Sequence, residues 1–133
     1  MIVISTDKER LDIHMIHEFL TKSYWAKGRS IEQVKSSIEH CLCFGVYSEN
    51  KQIGFARIAT DYTVFAYLMD VFILPEYRGN GYAKELMLAI HNEPKLKPCR
   101  TWMLKTSDAH KLYNQFGYTE LKHPEKVMER LLK

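Results

Sequence analysis

Arg78-Gly79-Asn80-Gly81 closes a strongly apolar run, Val64–Leu74, and opens a helical pattern just after Pro75. Such a junction can hold an anion. The first amides of a helix have no partner within it, so they can donate to phosphate oxygens. The helix dipole adds about 0.3–1 kcal/mol in favour of negative charge. Gly79 and Gly81 allow positive φ and have no Cβ to hold a ligand away from the backbone. Asn80 accepts a left-handed conformation more readily than most residues, and Arg78 offers a charged fork. A Walker loop is excluded because Lys84 is followed by Glu85, and the dinucleotide fingerprint would need glycine where Lys84 stands. A plain tight turn before a helix would use the same two glycines.

Other residues carry chemistry of their own. Asp70 lies inside the apolar run, where a carboxylate is costly without a purpose. It suits a general base, or a salt bridge with Arg57 or Arg100. Tyr113 follows Leu112 on a helical segment, and its ordinary pKa near ~10 is close to that of a thiol near ~8.5. His14 and His17 share a helix face without an evident third ligand, so no metal is expected. His110 reads as a helix-surface residue or a ligand contact. Cys41, Cys43 and Cys99 match neither a disulfide framework nor zinc spacing and read as reduced thiols.

The positioning elements follow from periodicity. "IVIS" is a short strand. Apolar residues recur at helical spacing from Leu11 to Leu20, and again at Ile31, Val34 and Ile38 behind Ser30, a helix cap. "LCFGVYS" and "QIGFARIAT" form a hairpin across Glu49, Asn50 and Lys51. The strand Val64–Leu74, a helix from Gly81 to His91, the strand "TWMLK" and a helix from Asp108 to Phe116 complete the body. Ser107 and Asp108 read as the caps of that last helix. "YTEL" and "VMERL" read as final strands. The order β-α-α-β-β-β-α-β-α-β-(β) describes one α/β (α+β mixed) domain over residues 1–133, with a mixed sheet and helices on its faces.

"RGNGYA" and, thirty residues on, "DAHKLYNQFGY" together resemble the signatures of the GCN5-related N-acetyltransferases, the GNAT superfamily. Arg78, Gly81 and Ala83 match the first motif, Leu112-Tyr113 and Phe116-Gly117-Tyr118 the second. The resemblance implies a mostly antiparallel sheet of six to seven strands flanked by about four helices. It also implies a V-shaped opening between strands 64–74 and 100–105. Acetyl-coenzyme A would lie there as co-substrate. Its diphosphate would rest on Arg78, Gly79, Asn80, Gly81, Tyr82 and Ala83, its pantetheine arm on the backbone of Phe72 and Ile73. Many relatives carry asparagine where this chain has Thr106, seven residues before Tyr113; a hydroxyl replaces part of that contact. Tyr113 would protonate the leaving thiolate, and Asp70 would be the base.

Family members bind acceptors with the first two helices, the loop between them and β-turn regions. Tyr24, Trp25, Asp61, Tyr62 and Phe65 are the corresponding residues here, and an aromatic lining with Asp61 suits an amine that carries positive charge. The implied activity is acetyl transfer from acetyl-coenzyme A to a primary amine of a small molecule, peptide or protein. The alternative is a non-catalytic acyl-coenzyme A-binding module. A homodimer would be in keeping with the family. Net charge is +3 without a basic run, so no nucleic-acid partner is expected. The longest apolar stretch, "VFAYLMDVFIL", contains Asp70 and is too short for a bilayer, and "MIVISTDKERLD" does not read as a secretory signal. These features set the expectation of a cytoplasmic protein without a membrane partner.

Overall fold

The hairpin at the centre of the chain organises the rest. The computed structural model describes residues 1–132. β1 (Val3–Ser5), β2 (Leu42–Ser48), β3 (Lys51–Thr60), β4 (Phe65–Ile73) and β5 (Thr101–Leu104) form one sheet in sequence order. The first three pairings are antiparallel and β4–β5 is parallel. Glu49 and Asn50 both adopt positive φ, 51° and 65°, the conformation a two-residue hairpin turn requires.

Helices cover both faces. α1 (Ile13–Lys22) and α2 (Ile31–His40) pack Ile16, Leu20, Val34 and Ile38 on one face against Cys43, Phe55 and Phe72. On the other face α3 (Tyr82–His91) buries Leu86, Met87 and Ile90 against Phe44, Val46, Ile58 and Leu68. The short α4 (His110–Asn114) adds Tyr113 to this second core. Among the described residues no helix is long and apolar enough to cross a membrane.

Two expectations need correction. The sheet has five strands rather than six or seven, because "YTEL" and "VMERL" do not pair; residues 119–132 run exposed, with only a short 3-10 turn at Pro124–Lys126. Residues 118–121 and 127–131 carry no regular apolar alternation to fix a register, and among the described residues the outer edge of β5 stays free. The last helix is also shorter than Asp108–Phe116. Its N-cap position is Ala109, without a side-chain cap, and neither Ser107 nor Asp108 caps it; the Oγ1 of Thr106 accepts from the amides of Asp108 and Ala109 in the turn ahead of the helix.

One irregularity positions the site. Arg57 faces Met69 and Phe55 faces Phe72, so Asp70 and Val71 together face the single residue Ala56. This is a β-bulge, and Asp70 takes φ +56° within it. An extra residue reverses the side-chain alternation. Ala66 and Leu68 point into the α3 core, and after the bulge Ile73 does so, while Phe72 turns to α1 and α2. Without the bulge Asp70 would share the apolar face of Leu68. With it, the carboxylate reaches the side of Trp25 and Arg29.

Candidate active site

β4 and β5 pair only from Phe65 to Leu68 against Thr101 to Leu104. Past the bulge β4 continues to Ile73 with β3 alone as its neighbour, and the two parallel strands diverge. The expected opening between them is present. It contains a cavity of about 440 Å³ lined by Tyr24, Trp25, Arg29, Tyr67–Val71, Lys105–Ala109 and Tyr113.

At the far end of β4 lies the glycine junction. Gly79 and Gly81 have φ of +86° and +77°, and a Cβ on either would meet nothing within 4 Å. The glycines are therefore required by conformation, and the space before them is open. α1 and α2 begin with side-chain caps, Asp12 on the amide of Met15 and Ser30 in a capping box with Gln33. α3 begins at Gly81 with no side-chain cap. A missing cap costs about 1 kcal/mol, and it leaves the amides of Tyr82 and Ala83 free to bind an external acceptor. Arg78 braces the loop by donating its Nε–H to the carbonyl of Ile73 at 3.0 Å, and Asn80 donates to the carbonyl of Tyr77.

The loop between α1 and α2 forms one wall. Ser23 accepts from the amide of Ala26, Gly28 turns with φ +80°, and His17 Nε2 lies 3.1 Å from the carbonyl oxygen of Arg29. His17 thus steadies this loop. Trp25 stands between Tyr24 (edge-on, centroids 5.1 Å apart) and Phe19, which stacks on Phe72 at 3.9 Å. Aromatic contacts therefore run from the cavity to the core. Tyr24 accepts a 2.7 Å hydrogen bond from Ser107, joining the two walls.

Asp70 is buried and fully engaged. Oδ2 accepts from Arg29 at 2.6 Å and from Arg57 Nε at 2.8 Å, while Oδ1 accepts from Trp25 at 3.0 Å. Of the two ion-pair partners considered for it, Arg57 is present. Arg100 is not, and Arg29, which no motif marks, takes its place. The nearby carboxylate holds the Arg57 guanidinium above its ordinary pKa against the opposing effect of burial.

Tyr113 is 8% exposed and reaches the cavity. Burial pushes its phenol up to about 12, with Tyr24 and Asp108 adding to the effect. The hydroxyl stays protonated at neutral pH, a hydrogen-bond donor rather than a phenolate. At that value the phenol is no longer matched to a thiol near ~8.5, so it is better suited to stabilising a developing thiolate than to complete proton loss.

The structure thus gathers Tyr24, Trp25, Asp70, Thr106 and Tyr113 around one cavity. Asp61, Tyr62 and Phe65 do not line it. Asp61 accepts from the amides of Thr63, Val64 and Phe65, and these bonds lower its pKa to about 2. Its carboxylate serves the β3–β4 turn, and Phe65 stacks on Tyr67 at 6.5 Å. Thr106 Oγ1 accepts from two amides of the turn before α4, so its hydroxyl proton is left for another contact. Arg29, Lys105 and Ser107 were missed; the loop position of Arg29 beside two aromatics was the only signal for it. Among the described residues, no cluster of three or more His, Cys, Asp or Glu could hold a metal.

Comparison with known proteins agrees with this architecture. The model of the acetyltransferase (GNAT) domain matches residues 39–120, more than half of the chain. A solved GNAT-family protein from Xanthomonas campestris pv. campestris is 45% identical, with a TM-score of 0.97 over 99% of this chain and 94% of that one. A Gibberella zeae protein assigned to the acetyltransferases is 29% identical over 86% of this chain and 77% of its own length. A Clostridium acetobutylicum structure solved with acetyl-CoA shares the fold at 16% identity and TM-score 0.73, covering 98% of this chain and 96% of that one. The chain belongs to the GNAT family of acetyltransferases.

Proposed function

We propose that this acetyltransferase uses acetyl-coenzyme A to acetylate a primary amine. The observation that carries the reading is the uncapped start of α3 at the end of a strand whose edge is open. The uncapped amides of Tyr82 and Ala83 follow that strand in the chain, and the cavity of Tyr113 is lined by its residues up to Val71. Coenzyme A has matching chemistry along its length: a diphosphate, two amides and a thioester.

In this reading Gly79, Asn80 and Gly81 shape the diphosphate seat, with Arg78 holding the loop to β4. The backbone of Phe72 and Ile73 pairs with the pantetheine amides. When bound, acetyl-coenzyme A supplies an acetyl group activated as a thioester. Amides turned out of the ladder by the bulge are oriented in advance, so their donors cost no reorganisation as charge develops. Tyr113 donates its hydroxyl proton in a hydrogen bond to the departing sulfur. Asp70, first read as the base, has Oδ2 occupied by two guanidiniums and Oδ1 by the Trp25 indole, and we assign it to fixing the bulge. The amine gives its proton to water in the open mouth of the cleft.

A thermal-shift panel with acetyl-coenzyme A, coenzyme A, ATP and NAD tests the cofactor. At a hundred times Kd a ligand stabilises by ~2.7 kcal/mol. Stabilisation by the two coenzyme A species alone, followed by amine-dependent release of free thiol, is the expected result. Stabilisation by ATP or NAD instead would overturn the reading. Binding with no transfer to any amine would leave a coenzyme A-binding module.

A further inference from the structure

The floor of the cleft contains two guanidiniums and one carboxylate. Asp70 is the shared counter-ion of Arg29 and Arg57, and among the described residues neither arginine has another ion-pair partner. The remaining nitrogens of Arg57 face Cys41 Sγ at 3.3 Å and Met69 Sδ at 3.6 Å, and sulfur is a weak acceptor. Arg57 is 9% and Asp70 5% exposed, so water compensates this unit poorly. A buried charge without a counter-ion is unfavourable. The Arg29 side chain is 22% exposed, and Arg29 lines the cavity with only NH1 engaged by Asp70. One positive charge is therefore in excess, and it can be reached from the cleft.

The other charges on the cavity do not cancel it. Lys105 on the opposite wall is positive and pairs with Glu129 at the surface. Asp108 lines the same wall as an exposed carboxylate whose charge reaches Tyr113, and among the described residues it forms no ion pair with Arg29. Asp61, the residue that could have drawn a cationic acceptor, is saturated by backbone amides at the β3–β4 turn. An aromatic lining alone would favour cations, but a guanidinium among those aromatics reverses the preference.

We infer that the acceptor is a primary amine bearing its own anionic group, a carboxylate or phosphate, which the free edge of Arg29 receives. This rests on the acetyl-transfer reading above. Arg29 is reached from the same cavity as Tyr113, so one small molecule can present its anion to the arginine and its amine to the thioester. The planar guanidinium fork suits both anions, and binding would complete the charge balance around Asp70.

The test compares matched amines in the presence of acetyl-coenzyme A: β-alanine against its amide, and 2-aminoethyl phosphate against ethanolamine. The expected result is at least a tenfold higher kcat/KM for the anionic member of one or both pairs, and the two pairs distinguish carboxylate from phosphate. Arg29→Gln should collapse that preference mainly through KM, and Arg29→Lys should restore part of it. The thermal shift with coenzyme A, measured on each variant, should persist and so report that fold and cofactor site are intact. Equal or better use of the neutral amines, or an anionic preference that survives Arg29→Gln, would overturn the proposal while leaving acetyl transfer standing. Failure to acetylate any amine, neutral or anionic, would sink the transfer reading and this proposal with it.

Discussion

Replacing Gly81 by alanine separates a glycine kept for folding from one kept for a ligand. Its φ is +77°, and an added Cβ meets no protein atom within 4 Å. The folding penalty is then only that of a left-handed alanine, about 1–2 kcal/mol. For a domain of this size that lowers Tm by roughly 3–10 °C. Gly28 is a matched control, with φ +80° and likewise nothing within 4 Å of a built Cβ. Both variants should lose similar stability. They should differ in coenzyme A affinity, because only the Gly81 methyl group would stand over the uncapped start of α3. Calorimetric titration should show Kd for coenzyme A rising at least tenfold in Gly81→Ala, which is ~1.4 kcal/mol, and staying within about twofold in Gly28→Ala. Equal affinities in the two variants, with the Gly81→Ala protein folded, would refute the phosphate seat and leave Gly81 as a turn residue.

Three further outcomes follow from the same geometry. Tyr113→Phe should lower kcat by roughly ten- to a thousandfold with little change in coenzyme A affinity; unchanged kcat would remove the hydroxyl from the chemistry. Stability should decline at alkaline pH, because burial raises Cys43 from 9.0 to about 12 and Tyr113 from 10.0 to about 12. Their native forms hold protons that the unfolded chain has already lost, so this stabilisation is complete below pH 9 and fades as pH climbs toward 12. Cys43→Ala should therefore move the onset of the decline in urea-unfolding free energy from near pH 9 to nearer pH 10, and an unmoved onset would exclude the thiol. Asp70→Asn leaves two guanidiniums facing one another and should cost ~3–5 kcal/mol, read from the same urea titrations. If Asp70 were instead the base, the rise of kcat/KM with pH would flatten in this variant.

What the sequence revealed and what it concealed divide along a physical line. The glycine junction was legible because local backbone demands write themselves into residue type: positive φ at positions 79 and 81, then a helix stripe at Leu86, Met87 and Ile90. Ser30 as a helix cap and the hairpin at Asn50 were legible for the same reason. The bulge was not. Nothing in "FAYLMDVFI" announces an extra residue, since only the register with β3 reveals that Asp70 and Val71 share one partner. Read with unbroken alternation, Asp70 belongs with Leu68 in an apolar core, where an ionised carboxylate would need a catalytic excuse.

The bulge supplies a different explanation and links fold to specificity. A left-handed aspartate costs about 1–3 kcal/mol, and the bonds to Trp25, Arg29 and Arg57 offset it. Those bonds fix the α1–α2 loop to β4 at the point where the sheet splits. The carboxylate that stands where β4 and β5 part is thus the same group that gathers two arginines beside it. In the proposed reading, the opening that would take the thioester and the positive charge that would meet the acceptor share one residue in an unusual conformation. No change at Asp70 can therefore affect one without the other. Arg29 is different: its removal leaves Arg57 and Trp25 on the carboxylate and the bulge in place. A variant at Arg29 should accordingly alter which amine is used while the cofactor site stays formed, whereas Asp70→Asn should weaken coenzyme A binding and amine choice together.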